Sequence, residues 1–136
     1  MTFGEKVREE RKKRGMTQDE LANILGVNRR TVFTWESGRA YPQSRKVYAA
    51  LALALDVPVN YLLADGEEFI LKAGESFGYR GKKEAEELTR EITGLFAGGE
   101  LEEEDMDMLM FAVQEAYVEA KNRNKKYTPK KYRGED

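Results

Sequence analysis

Apolar residues recur at helical spacing in two short stretches near the start of the chain. The first stretch begins near Gln18 and ends at Gly26, a residue that tolerates the left-handed conformation common at helix ends. Its apolar face is formed by Leu21, Ala22, Ile24 and Leu25. The second stretch follows Asn28, a favourable N-cap, and stops at Ser37 and Gly38. The pattern predicts two helices at a steep angle joined by a short turn.

A capping box marks the beginning of the first of these helices. The hydroxyl of Thr17 is placed to accept a hydrogen bond from the amide of Glu20, and the carboxylate of Glu20 is placed to accept one from the amide of Thr17. This reciprocal pair fixes where the helix begins.

The helical pattern disappears after residue 65 and then returns. Segment 66–81, GEEFILKAGESFGYRG, contains four glycines and shows no helical period, so we interpret it as an irregular connector. A short edge strand at 69–72 is the alternative. From Lys82 to Phe96 the period of a helix returns. The apolar positions of that helix are Ala85, Leu88, Ile92, Leu95 and Phe96.

A longer helix is predicted from about Leu101 onward, after a break at Gly98 and Gly99. Its first turn is acidic and its last turn is basic, and both charges oppose the helix macrodipole, so they mark the two ends of one helix. Its apolar stripe of a, d, e type consists of Met106, Leu109, Met110, Val113, Ala116, Tyr117 and Ala120. The two C-terminal helices predict a hairpin over 82–126 that buries too little area to be stable alone.

Composition narrows the classes of function. The chain has 136 residues without histidine or cysteine, which excludes disulfides, thiolate or imidazole metal sites, and the common Cys-His or Ser-His catalytic sets. The carboxylates lie mostly in runs, which are typical of solvated helix faces. We therefore expect no enzyme activity, no cofactor and no metal.

Charge divides the chain into two unlike halves. Residues 1–65 contain 11 Lys and Arg against 8 Asp and Glu, whereas residues 66–136 contain 12 against 17. A basic half suited to phosphate is thus joined to an acidic half that phosphate would repel, so we expect the second half to have another partner. The charged start of the chain is unlike a signal sequence, and the apolar run 47–55 is too short to cross a bilayer, so a cytoplasmic location without membrane contact is expected.

In these motifs the sequence resembles the Cro and phage-repressor family of helix-turn-helix regulators, also called the Xre-type family. The shared elements are T-Q-x-x-L-A-x-x-L-G-V at 17–27, W-E-x-G at 35–38 and V-P-V-N-Y-L-L at 57–63. The resemblance covers about Phe3 to Asp65. It implies an all-α fold, with a five-helix lambda-repressor-like domain over 1–65 followed by the C-terminal helical hairpin. Its further helices would lie near Phe3 to Arg14, Ser44 to Leu55 and Val59 to Leu63.

The resemblance places double-stranded DNA against the second helix of the motif. Arg29 and Arg30 suit the two acceptors of guanine, and Thr34 offers a methyl to thymine. Phe33 is open between a thymine contact and edge packing, and the arginines have solvated surface side chains as their alternative. The candidate DNA-binding set is Gln18, Asn28, Arg29, Arg30, Thr31, Phe33, Thr34, Arg39, Tyr41, Arg45 and Lys46. Of these, Arg39, Tyr41, Arg45 and Lys46 are expected along the DNA backbone.

Trp35 and Glu36, which lie beside these residues in the sequence, are expected to have structural roles. Trp35 lies at helical spacing from Val32 and is expected to be core packing rather than a stacking platform. The resemblance pairs the acid after it, Glu36, with Arg11 of the first helix.

Self-association through the C-terminal hairpin is expected, because two recognition helices about one DNA turn apart read a palindrome that one cannot. The candidate oligomerisation residues are Leu88, Ile92, Leu95, Phe96, Met106, Leu109, Met110, Val113 and Tyr117. The alternative is that the hairpin caps the N-terminal bundle within one chain. Met106, Met108 and Met110 would also suit an adaptable surface for a protein ligand.

The tail 127–136, YTPKKYRGED, is basic as far as Arg133 and is expected to be an exposed extension. It resembles the C-terminal region of repressors from prophages and mobile elements of Gram-positive bacteria. Some of those repressors are inactivated by a metalloprotease or an antirepressor protein, so the resemblance admits such a partner. A solvated tail that screens the acidic helix is the alternative.

These observations predict a sequence-specific transcription regulator, a repressor that binds a palindromic operator as a homodimer or a higher oligomer. The alternative is an antitoxin or other protein-binding module whose DNA binding is autoregulatory.

Overall fold

The computed structural model describes residues 1–96, 98–99 and 101–127. All regular secondary structure in these ranges is helical, which confirms the predicted all-α class. The helices are α1 (Phe3–Lys13), α2 (Gln18–Leu25), α3 (Arg29–Glu36), α4 (Arg45–Leu55), α5 (Val59–Leu62), α6 (Asp65–Phe96) and α7 (Glu103–Tyr127). The predicted extension over 127–136 lies outside the described residues beyond Tyr127.

Helices α1 to α5 enclose the first hydrophobic core, as the resemblance implied. Val7, Leu21, Val32, Tyr48 and Leu51 are completely buried in it. α3 packs against α1 and α2, and α4 packs against α2 and α5. The core therefore holds α2 and α3 in a fixed arrangement.

Helices α1 and α3 approach each other closely at Gly4. A Cβ atom at Gly4 would lie 2.5 Å from the carbonyl oxygen of Trp35 and 2.6 Å from that of Glu36. Both neighbours are backbone atoms, so neither can move aside without shifting α3. Glycine at this position sets the distance between the two helices.

Gly4→Ala is therefore expected to destabilise the fold by about 1–3 kcal/mol, although alanine is the better helix former. Gly94→Ala is the matched control, because Gly94 lies in α6 with no other atom within 4 Å of the added Cβ. The control is expected to stabilise by about 0.5–1 kcal/mol. Urea unfolding of both variants measures the difference. Equal stabilisation by both would contradict the close crossing.

The long helix α6 is a hairpin with two arms. Gly78 has φ 75° and ψ −164°, outside the helical region, and separates an arm over 65–77 from an arm over 79–96. A Cβ atom added at Gly66 would lie 3.2 Å from Thr89 Cγ2. A Cβ atom added at Gly74 would lie 3.4 Å from the Cβ atom of Lys82. These contacts show that the arms run antiparallel.

The interpretation of 66–81 as an irregular connector is wrong, and so is its alternative, a strand at 69–72. These residues are helical on both sides of Gly78. Only Gly78 reverses the chain, whereas Gly66, Gly74 and Gly81 allow the two arms to approach closely. Glycines that look like helix breakers in the sequence thus lie mainly at the contact between the two arms of α6.

A second core lies between the arms of α6 and helix α7. Phe69, Ile70, Ala73 and Ala85 are buried there, and Tyr117 of α7 packs against them. The ring of Tyr117 meets that of Phe69 edge-on, with centroids 5.5 Å apart. Together with the second arm of α6, α7 forms the predicted C-terminal hairpin, and Gly99 has a positive φ of 71° between them.

The two cores are joined within the chain. Leu71 of α6 is buried in the first core, and Tyr41 packs against both. Arg90 of the second arm donates a hydrogen bond to the carbonyl oxygen of Gly38, at 3.5 Å. The C-terminal part therefore contacts the N-terminal bundle. This contact was expected from the alternative in which the hairpin caps that bundle within one chain.

Candidate nucleic-acid interface

The turn between α2 and α3 has the local geometry that its sequence predicts. The amide of Glu20 donates to Thr17 Oγ1 and the amide of Thr17 donates to Glu20 Oε1, both at 3.1 Å. Gly26 ends α2 with φ 71°, and Asn28 Oδ1 accepts from the amide of Thr31 at 2.9 Å. The Asn28 cap fixes the residue at which α3 begins, and therefore which side chains of α3 face the core.

Helix α3 has one buried and one exposed face. Val32 and Trp35 anchor the buried face, with 0% and 4% of their surface exposed. The core interpretation of Trp35 is confirmed. Arg29 and Arg30 are exposed on the other side, and Phe33 exposes 47% of its surface. The helix therefore presents its polar face outward.

Arg29 and Arg30 are free to contact a ligand. Neither guanidinium forms an ion pair or hydrogen bond with a residue in the described ranges. Their position in the first turn of α3 is slightly unfavourable because of the helix macrodipole. Two uncompensated cations at this end therefore favour an anionic or hydrogen-bond-accepting partner over an internal role.

The hydroxyl protons of the threonines on α3 are used within the helix. Thr31 Oγ1 donates to Asn28 Oδ1 at 3.0 Å, and Thr34 Oγ1 donates to the carbonyl oxygen of Arg30 at 2.7 Å. A contact from Thr34 to an external group is thus left to its methyl group and its oxygen lone pair.

An ion pair joins α3 to α1. Arg11 Nε donates to Glu36 Oε2 at 2.7 Å and its Nη2 to Oε1 at 3.0 Å, which confirms the pair implied by the resemblance. Its Nη1 donates to the carbonyl oxygen of Met16 at 2.8 Å. The bidentate contact with Glu36 raises the pKa of the Arg11 guanidinium. Gln18 Nε2 also donates to Glu36 Oε1, at 3.2 Å, so this candidate DNA contact is tied to the pair.

The four residues expected along the DNA backbone divide into two kinds. Arg39 and Lys46 are exposed. Tyr41 is half-buried, its ring centroid is 5.7 Å from that of Phe3, and burial raises the pKa of its hydroxyl. Arg45 is paired with two carboxylates of the first α6 arm. Two of the four residues expected along the DNA backbone, Tyr41 and Arg45, thus also have contacts within the chain.

Arg45 contacts both carboxylate oxygens of Glu68 and one of Glu75. Its Nη2 lies 2.6 Å from Glu68 Oε1 and 3.2 Å from Glu75 Oε1, and its Nη1 donates to Glu68 Oε2 at 2.8 Å. These hydrogen bonds raise the pKa of the guanidinium and lower that of Glu68. A cation that the sequence assigned to a DNA phosphate is thus paired with carboxylates of the acidic half.

Sequence reasoning missed two buried acids, one on each arm of α6. Glu67 and Glu86 are 8% and 0% exposed, and burial raises the pKa of Glu67. Glu86 Oε1 lies 2.9 Å from Lys82 Nζ, an ion-pair distance. In the sequence these acids belong to charged runs that look solvated, so no local signal distinguishes them. Their burial depends on the reversal at Gly78.

The candidate oligomerisation residues have different surroundings. Ile92 is buried, and Leu88 and Tyr117 pack on the second core. Leu95 and Leu109 are exposed. Met106, Met110 and Val113 are half-buried, and the side chain of Phe96 lies outside the described part.

The described part of the chain contains no group of three or more metal-binding side chains. None of the helices in those ranges is long and apolar enough to span a membrane.

Comparison with known proteins identifies a helix-turn-helix domain in the same part of the chain. A family model described as a helix-turn-helix domain matches residues 4–68. The immunity repressor protein of Bacillus phage phi105 is 34% identical over 100% of this chain and 99% of its own length. No solved structure matches.

Two other relatives match mainly the N-terminal half. The HTH-type transcriptional activator BcrR of Enterococcus faecalis is 36% identical over 54% of this chain and 35% of its own length. The cryptic phage CTXphi transcriptional repressor RstR of Vibrio cholerae is 35% identical over 48% of this chain and 58% of its own length. Only the phi105 repressor matches across both halves among these three. The chain belongs to the phage-repressor family of helix-turn-helix DNA-binding transcription regulators.

Proposed function

We propose that this protein is a sequence-specific repressor that binds a palindromic operator as a dimer, with α3 in the major groove. The observation that carries the proposal is the pair of exposed, unpaired guanidinium groups of Arg29 and Arg30 on a helix anchored by Val32 and Trp35. Such a helix can bring two bidentate donors to base edges while its other face stays in the core.

The direction of regulation is supported by the relative that matches over both halves. Its printed name is immunity repressor protein, and the similarity includes the acidic C-terminal half as well as the DNA-binding half. A dimer fits this division, because one recognition helix reads too few base pairs for specific binding. In this arrangement the N-terminal half contacts DNA, and the C-terminal half binds the second copy of the chain.

Selection of bound sequences from a random duplex pool tests the proposal. We expect an inverted repeat with half-sites about one helical turn apart, and binding that falls steeply with salt. Recovery of a single unrepeated site would contradict the dimer, and recovery of no preferred sequence would contradict specific recognition.

The Arg45 contacts lead to a further expectation about affinity. If Arg45 neutralises a phosphate in the complex, Glu68 competes for it, and Glu68→Gln should strengthen binding to all duplexes alike by about 2- to 5-fold. Glu87→Gln is the control, since Glu87 is an exposed acid of the same helix and its change alters net charge equally. Fluorescence anisotropy titrations on an operator and on a scrambled duplex compare the two. Equal effects of both variants would assign the gain to net charge and remove Arg45 from the interface.

A further inference from the structure

Helix α7 has a second apolar face that the sequence analysis did not single out. Met106, Met110, Val113 and Tyr117 are half-buried on the side towards α6. Met108, Phe111 and Val118 remain 71%, 62% and 39% exposed. These three residues are separated by three and seven positions, so they form one stripe along the helix.

Two residues of the outer stripe, Phe111 and Val118, border a groove. The groove has a volume of about 1460 Å³ and lies between α7, the first arm of α6 and the beginning of α1. Phe111 and Val118 lie along its α7 wall, and Phe69 and Phe77 contribute to the opposite wall. Exposed apolar side chains at the edge of a groove, here Phe111 and Val118, indicate an interaction surface.

The charges along α7 indicate what can cover this stripe. Segment 102–107 contains five acids, and segment 121–126 contains four bases. Two α7 helices packed side by side in parallel would oppose acid to acid and base to base. Packed antiparallel, each acidic end meets the basic end of the other. The helix is thus complementary to a reversed copy of itself.

We propose that the outer face of α7 binds the same face of a second copy, antiparallel, about a two-fold axis near residue 113. This inference rests on the proposed dimeric function and specifies its contact surface. In this register Met108 lies opposite the partner's Val118, and the contact is isologous, as a closed dimer requires. Ile92, Leu88 and Tyr117 instead keep their contacts within the chain.

Charge placed on the stripe should break the dimer without unfolding the chain. The full-length Met108→Glu/Phe111→Glu variant is expected to raise the dimer dissociation constant by roughly 100-fold or more in sedimentation equilibrium, because each change is made twice in a symmetric contact. Both side chains are exposed, so the helical circular dichroism spectrum should not change. Leu53→Glu is the control, since Leu53 of α4 is 84% exposed and lies outside the stripe. It should leave the constant unchanged.

Disulfide mapping tests the orientation, because the natural chain contains no cysteine. We expect Glu104→Cys and Asn122→Cys proteins, mixed and oxidised, to form a crosslink between one of each. Crosslinks within each single variant, but not between the two, would overturn the antiparallel arrangement.

The same measurements separate this inference from the proposed function. A Met108→Glu/Phe111→Glu protein that remains dimeric and still selects an inverted repeat would overturn the α7 surface and leave the repressor function intact. A wild-type chain that is monomeric both free and on its selected site would overturn the dimer itself.

Discussion

Replacing Arg29 or Arg30 with alanine is expected to weaken operator binding by about 1–3 kcal/mol for each arginine and to relax base choice at one position of each half-site. Each guanidinium is exposed and forms no hydrogen bond or ion pair with the described part of the chain. Its removal therefore costs the fold little, and the loss should appear in DNA binding. A bidentate contact to guanine cannot be replaced by a neighbouring side chain at the same place.

The measurement is the affinity for the selected operator and for the same duplex with each half-site guanine replaced in turn. In the wild type, one replacement should weaken binding strongly. In the matching arginine variant, the same replacement should have little further effect, because the contact is already absent.

Lys46→Ala is the matched control for charge. Lys46 is an exposed cation at the start of α4 and is expected to meet the DNA backbone. Its loss should weaken operator and scrambled duplex by similar factors and reduce the salt dependence. If Arg29→Ala and Arg30→Ala behaved in the same way as Lys46→Ala, the two arginines would be phosphate contacts and base reading would belong elsewhere.

The sequence predicted those parts of the interface that depend on neighbouring residues. The capping box of Thr17 and Glu20, the left-handed Gly26 and the Asn28 cap are contacts across three residues or fewer, so they can be recognised without the fold. The burial of Trp35 also follows from helical spacing. The ends of α2 and α3 and the burial of Trp35 were therefore predictable from the sequence.

Features that depend on chain reversal were not predictable in this way. Gly78 turns α6 back on itself, while Gly66 and Gly74 lie at the contact between its arms, yet all are read as breakers in the sequence. The pairing of Arg45 with Glu68 joins residues 23 positions apart. Likewise, Glu86 is buried only because the second arm returns to the bundle. Periodicity identifies faces of helices but not their neighbours.

Removing the carboxylate of Glu36 is expected to be among the most destabilising single changes in the N-terminal domain. The side chains of Arg11 and Glu36 are 10% and 5% exposed, so Glu36→Ala leaves a guanidinium with little access to water and without its charge partner. We expect a loss of about 3 kcal/mol, the lower end of the range for breaking a buried pair, because the site is close to the surface. Urea unfolding monitored by Trp35 fluorescence measures it.

The control is the exposed pair between Arg123 and Glu119, whose side chains are 64% and 71% accessible. Glu119→Ala should change stability by only a few tenths of a kcal/mol, since water replaces the lost contact. An equally small effect of Glu36→Ala would show that Arg11 stays solvated without its partner.

The double variant Arg11→Met/Glu36→Leu identifies the source of the loss. If the loss in Glu36→Ala comes from the uncompensated charge of Arg11, removing both charges should recover much of the stability. If the double variant is as unstable as Glu36→Ala, the hydrogen bonds from Gln18 to Glu36 and from Arg11 to Met16 hold the helices together instead. In that case Gln18 would be a structural residue that joins α2 to Glu36 of α3.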